Sequence, residues 1–232
     1  MTEPGILLGT SVAIALIHTL IGVDHYVPFI ALGRANNWPP KKTVFVVLLC
    51  GIGHVAGSVL LGFFGIALFS GVSSLVSIES MRGEIATWAL IAFGLVYTIY
   101  GLRRAVKNKA HTHVGRDGQA FFHSHLHNDN GHEHDAKKNS GIFWGLFIFF
   151  VLGPCEPLVP LLMYPAAAMN IPVLVLVTVT FSVCTIAVML LMTLLGLKGS
   201  RLLRTEKLER YAHALAGSAI LLCGIMVLAL PI

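Results

Sequence analysis

The 232-residue sequence predicts an all-α integral membrane protein: six transmembrane helices forming two inverted three-helix repeats, with helices 1 and 4 broken. Three observations predict it. Hydrophobic residues make up 56% of the chain and charged residues 12%, and the mean hydropathy is +0.79. A soluble domain of this size cannot hide that much apolar surface in one core. Six apolar stretches each reach the ~20 residues that a helical span requires. Two short segments, one in each half, share an acid followed by a Val-Pro pair. The composition excludes an ordinary soluble enzyme, a disordered chain and a disulfide scaffold. Cys50, Cys155, Cys184 and Cys223 all lie in apolar runs, which argues against a disulfide framework.

The expected spans cover about 5–32, 43–70, 85–103, 141–169, 172–198 and 209–232. No Lys or Arg precedes the first, so it reads as a retained span rather than a cleaved leader. The sixteen basic residues are assigned to the links: odd-numbered links carry fifteen, and the second link carries only Arg82. By the positive-inside rule the odd links are cytoplasmic and both termini lie outside, in a bacterial-type plasma (inner) membrane. The formal charge of +5 is thus a topology signal and not a nucleic-acid footprint. Three regions follow: a first repeat over 1–103, a cytoplasmic His-rich disordered loop over 104–140, and a second repeat over 141–232.

Asp24 and Glu156 are the only acids placed in the membrane interior. Asp24-His-Tyr-Val-Pro28 parallels Glu156-Pro-Leu-Val-Pro160. With three spans per half, the two segments cross in opposite directions, as in inverted-repeat transporters whose sites lie at the midplane between interrupted helices. Proline has no backbone N–H and clashes with the carbonyl four residues back. Pro28 and Pro160 are therefore expected to free the carbonyls of Asp24 and Glu156.

His18, Asp24 and His25 in the first span, His54 in the second, and Cys155 and Glu156 in the fourth form the polar constellation. Ionisable groups at this depth usually face a bundle interior or a wet cavity. Imidazole, thiolate and carboxylate together suit a divalent transition metal such as nickel, cobalt or zinc. On a straight helix His18 and His25 would sit about 10.5 Å apart along the axis, too far to share one ion unless the helix unwinds near Gly22. His213 reads as a hydrogen-bonded structural residue, and Gly51, Gly53 and Gly57 as packing positions.

The segment His18-x3-Gly22-x-Asp24-His25 resembles the first-helix signature of the nickel/cobalt permease superfamily, which includes the NiCoT and NicO permeases and the hydrogenase- and urease-accessory nickel permeases. The five residues between His18 and Asp24 resemble the accessory-permease variant. Gly53-His54 is similar to the family's second-helix Gly-His, and Leu152-Gly153 before Glu156 to a later Leu-Gly-acid motif. The resemblance implies a secondary transporter of divalent nickel- or cobalt-like cations that carries no prosthetic group and is not an enzyme.

The third link holds His111, His113, His123, His125, His127, His132 and His134. Such a tract reads as metal-capturing. It favours export slightly over import, with a cytoplasmic metal chaperone and a homo-oligomer as expected partners. Two other classes stay open. Pro154-Cys155-Glu156-Pro157 suggests a membrane thiol-redox carrier, although such a carrier needs two facing cysteines and the first span has none. An intramembrane zinc hydrolase would use Glu156 as base.

Overall fold

The computed structural model describes residues 3–67, 72–107, 112–114, 120–122, 132–153, 155, 157–167, 170–202 and 209–229. Helix α1 (Glu3–Ile21) stops at Gly22, a 3₁₀ turn covers Val23–His25, and α2 (Val27–Ala35) resumes the path. Then come α3 (Pro40–Ala67), α4 (Val72–Lys107), α5 (His132–Leu152), α6 (Leu158–Ala167), α7 (Ile171–Leu202) and α8 (Ala212–Ala229). Five helices, α1, α3, α4, α7 and α8, are long and apolar enough to cross a membrane. The apolar part of α5, Gly141–Leu152, is shorter and is followed by α6 beyond a break. The protein is thus a helical membrane protein. Large side chains such as Phe45, Val96, Val183 and Leu222 point outward, which accounts for a hydropathy that no interior could absorb.

Both expected helix breaks are present, but the prolines do not make them in the expected way. Pro28 sits in the first turn of α2 and Pro160 in the first turn of α6. At those positions a missing N–H costs little, because the first helical N–H groups have no partner inside the helix. The prolines start the following helices, and the interruptions fall before them, at Gly22 and between Leu152 and Leu158.

The end of α2 is a Schellman turn. Trp38 N–H donates to Gly33 O at 2.9 Å and Asn37 N–H to Arg34 O at 3.3 Å. Asn37 takes φ 49°, a left-handed conformation that Asn tolerates better than most residues. Pro39 and Pro40 then prevent continuation, and Pro40 opens α3.

The sequence places Arg82 in a link and starts the third span at 85. Instead α4 runs unbroken from Val72 and carries Glu79 and Arg82 inside it. Glu79 is fully buried, and Arg82 Nη1 donates to Glu79 Oε2 at 2.6 Å. Asp24 and Glu156 are therefore not the only candidates for interior acids, and the interior does hold a basic residue. The sequence missed both because their pairing removes the cost that makes a lone charge improbable there.

A small-residue seam joins α4 to α8. A side chain at Gly94 would strike Leu221, at Gly101 Ala214, at Gly217 Thr98 and at Gly224 Ile91. Falling numbers on one helix meet rising numbers on the other, so the two run antiparallel with backbones close together. At one end of the seam Arg104 Nη1 donates to His213 Nε2 at 3.1 Å, so His213 Nδ1–H donates to Tyr97 Oη at 2.8 Å. Asn36 Nδ2 reaches the same Oη at 3.1 Å. His213 is a hydrogen-bonded structural residue, as expected.

Part of the expected 104–140 loop lies in described elements. Residues 104–107 belong to α4, and His132 and His134 lie in the first turn of α5. Two short strands, β1 (Thr112–Val114, with His113) and β2 (Ala120–Phe122), pair antiparallel. His111, His123, His125 and His127 lie outside the described residues.

Replacing Gly101 by Leu should force α4 and α8 apart and cost about 1–3 kcal/mol, read as a lower unfolding temperature in detergent. Gly9→Leu, where an added Cβ meets nothing within 4 Å, should leave it unchanged.

Candidate functional site

The first break builds half of the site. Gly22 has ψ 86°, and a Cβ there would lie 2.5 Å from His25 Nδ1 and 2.9 Å from His18 O, so only glycine fits. The turn folds His25 back over the end of α1. Its backbone N–H donates to Gly22 O at 3.1 Å, and its Nδ1–H is shared between Gly22 O at 3.0 Å and Asp24 Oδ1 at 3.2 Å. Tyr26 Oη satisfies Leu20 O at 3.2 Å. Unwinding replaces the 10.5 Å axial separation of a straight helix with a ring-centroid distance of 4.8 Å between His18 and His25.

The second break supplies the rest. Among the last carbonyls of α5, Phe149 O receives Gly153 N–H at 2.8 Å. Phe150 O receives His54 Nδ1–H at 3.3 Å, and Val151 O receives Arg82 Nη2 at 2.9 Å. Beyond the break Cys155 N–H donates to Ser58 Oγ at 3.1 Å, and Leu158 N–H to Cys155 O at 2.9 Å. His54 and Ser58 are one helical turn apart on α3, and one clamps each side of the gap. Gly57 leaves room for Arg82, since a Cβ there would meet Nη2 at 2.6 Å.

His18, Asp24, His25, His54 and Cys155 therefore come together. His25 and His54 are edge to face with centroids 4.9 Å apart, and Cys155 Sγ lies 3.9 Å from His18 Nε2. One ring nitrogen each from His18 and His54 and the Cys155 sulfur all lie within 4.8 Å of one another. His25, His54 and Cys155 are buried, whereas the Asp24 side chain is 25% exposed. A cavity of about 430 Å³ reaches His18, Asp24 and His25, with Ser80, Glu84 and Thr87 of α4 also in its wall. Ser80 and Glu84 are exposed and mark its wet end. Glu156 lies outside the described residues.

Cys50 shares the face of His54 but is buried in an apolar cluster with Phe29 and Met189, and Cys223 lies in the same cluster. Cys184 packs against the cluster that contains Cys155. Sequence reasoning missed Ser58, Glu79 and Arg82 as parts of the site. The i,i+3 spacing of Glu79 and Arg82 was the available signal.

A helical membrane protein with a buried thiol and imidazole cluster at paired helix breaks is the class that fold and site define. A family model, the cytochrome c biogenesis protein transmembrane region, matches residues 27–226. The chain belongs to that family. No curated protein and no solved structure matches it. The family match overturns both the resemblance to the nickel/cobalt permeases and the metal-transport function drawn from it. The most specific motif behind the resemblance, residues 18–25, lies wholly upstream of the matched segment.

Removing Arg82 while keeping Glu79 takes away the guanidinium paired with a buried carboxylate. Arg82→Met should cost about 3–5 kcal/mol. The double variant Arg82→Met with Glu79→Gln should recover much of that, as measured by thermal unfolding in detergent.

Proposed function

We propose that the protein is a membrane thiol-redox carrier whose working sulfur is Cys155. The family match supports the thiol-redox class, and Cys155 lies within the matched segment. The observation that carries the assignment to this cysteine is its position. Its sulfur lies 3.9 Å from His18 Nε2, at a helix break, and His18 lines a cavity with an exposed mouth. Like Cys50 and Cys223, Cys155 is buried in an apolar cluster; the His18 imidazole at its sulfur distinguishes it.

A single sulfur can carry the reaction when each partner brings two. His18 Nε2 takes the thiol proton, and the thiolate is the nucleophile. It attacks one sulfur of an acceptor disulfide, breaking that bond and leaving a mixed disulfide and one acceptor thiolate, which is protonated. One thiolate of a donor dithiol then attacks Cys155 Sγ and releases the second acceptor thiol. The second donor thiol displaces Cys155 and closes the donor disulfide. Two electrons and two protons pass from donor to acceptor, and Cys155 is regenerated. The protein acts as a carrier; its partners are a dithiol donor and a disulfide acceptor.

Topology fits this reading. α5 and α6 together make a sixth crossing, which gives two halves of three crossings with one interrupted helix in each. With Arg82 inside α4, the basic residues concentrated on the 104–140 side support a cytoplasmic placement of that side.

Vesicles containing the protein, with a reduced dithiol protein outside and a disulfide reporter inside, test the proposal. Reporter reduction should fall to the level of empty vesicles in Cys155→Ser and persist in Cys50→Ser and Cys223→Ser. Transfer by Cys155→Ser at the native rate would sink it.

A further inference from the structure

We infer that His18, His54 and Cys155 form a resident binding site for a soft d¹⁰ metal ion, with Cu⁺ preferred and Zn²⁺ the alternative. This stands apart from the redox reading: it concerns an ion held by the site, and it needs no transfer step.

Three observations on the cluster carry it. One is distance. With bonds of about 2.0 Å to nitrogen and about 2.3 Å to sulfur, donor atoms around one ion sit roughly 3–4 Å apart. The His18–Cys155 pair is already at 3.9 Å, and the full triad lies within 4.8 Å, so closure requires an approach of roughly 1–2 Å.

The second is tautomer. His54 Nδ1 faces a carbonyl oxygen, so it must carry the proton, and Nε2 keeps its lone pair. Backbone carbonyls orient metal-binding imidazoles in this way. His54 is 2% exposed, and among the described residues its Nε2 meets no hydrogen-bond partner. A buried lone pair without a donor costs free energy, and a metal ion removes that cost.

The third is the donor set. Thiolate with imidazole selects soft or borderline ions over magnesium or calcium. One thiolate and two neutral imidazoles around Cu⁺ make a site of zero net charge, the least costly arrangement in a low-dielectric interior. Zn²⁺ would leave one positive charge and call for a fourth ligand. His25 Nε2, buried and also without a partner among the described residues, is available nearby. On binding, the Cys155 S–H bond is replaced by a metal–sulfur bond and the proton is released to solvent. No electron changes hands.

The full-length protein, purified without metal under reducing anaerobic conditions, would be titrated separately with Cu⁺ and Zn²⁺ and examined by X-ray absorption at each metal edge. The loop histidines offer nitrogen only, so a sulfur neighbour reports the buried site. We expect one sulfur at about 2.3 Å with at least one of the two ions. It should vanish in Cys155→Ser, weaken in His54→Gln and His18→Ala, and persist in Cys223→Ser. A nitrogen-only shell with both ions in the native protein overturns the inference, as does a sulfur shell that survives Cys155→Ser. Either result leaves the vesicle transfer measurement untouched, so the two proposals fail separately.

Discussion

Backbone satisfaction at the two helix breaks is the constraint on which the rest of the structure depends. In hydrocarbon an unpaired carbonyl or amide costs several kcal/mol, so an interrupted helix persists only if side chains replace its lost hydrogen bonds. Here they do so individually. His25 and Tyr26 serve the end of α1. His54 and Arg82 serve the end of α5, and Ser58 takes the first N–H beyond it.

The same requirement sets the protonation pattern. A neutral histidine that donates through Nδ1 to a carbonyl presents an unprotonated Nε2 on its other side. His54 does this, and its structural role fixes its chemical one. It is therefore misleading to ask whether His54 is structural or functional, since capping Phe150 O is what makes its other nitrogen reactive. Arg82 shows the cost of the arrangement. A guanidinium that caps a membrane-embedded carbonyl needs its own counter-ion, and Glu79 supplies it.

Much of the site was legible in the sequence, because ionisable residues stand out against an apolar background. His18, Asp24, His25, His54 and Cys155 could be picked on that ground, and Gly22 could be named as the point of unwinding. The capping partners could not. Ser58 and Cys155 are 97 residues apart, and Arg82 and Val151 69 apart; no local pattern marks such pairs. The prolines misled because their effect depends on whether they fall inside a helix or at its start. Arg82 misled because a lone arginine beside a hydrophilic stretch looks like a loop charge until its carboxylate partner is seen. The family was misjudged for a different reason: a short motif reports local chemistry, and local chemistry recurs on unrelated proteins.

The boundary of the family match sharpens the point. Cys155, His54 and Ser58 lie within residues 27–226, whereas His18, Gly22, Asp24 and His25 lie before them. The thiol and its clamp thus belong to the matched part of the chain, and the motif that contacts the thiol from α1 lies outside it. A thiol in such a setting answers to two chemistries, disulfide exchange and metal ligation, and both begin with loss of the same proton. What separates them is the number of soft donors converging on the sulfur's partner. One imidazole beside Cys155 suffices to take its proton, whereas two, with Nε2 of His54 already bare, suffice to hold an ion against it. The fold at Gly22 brings His18 and His25 together beside His54, and so makes the second possibility available to a site for which the first is proposed.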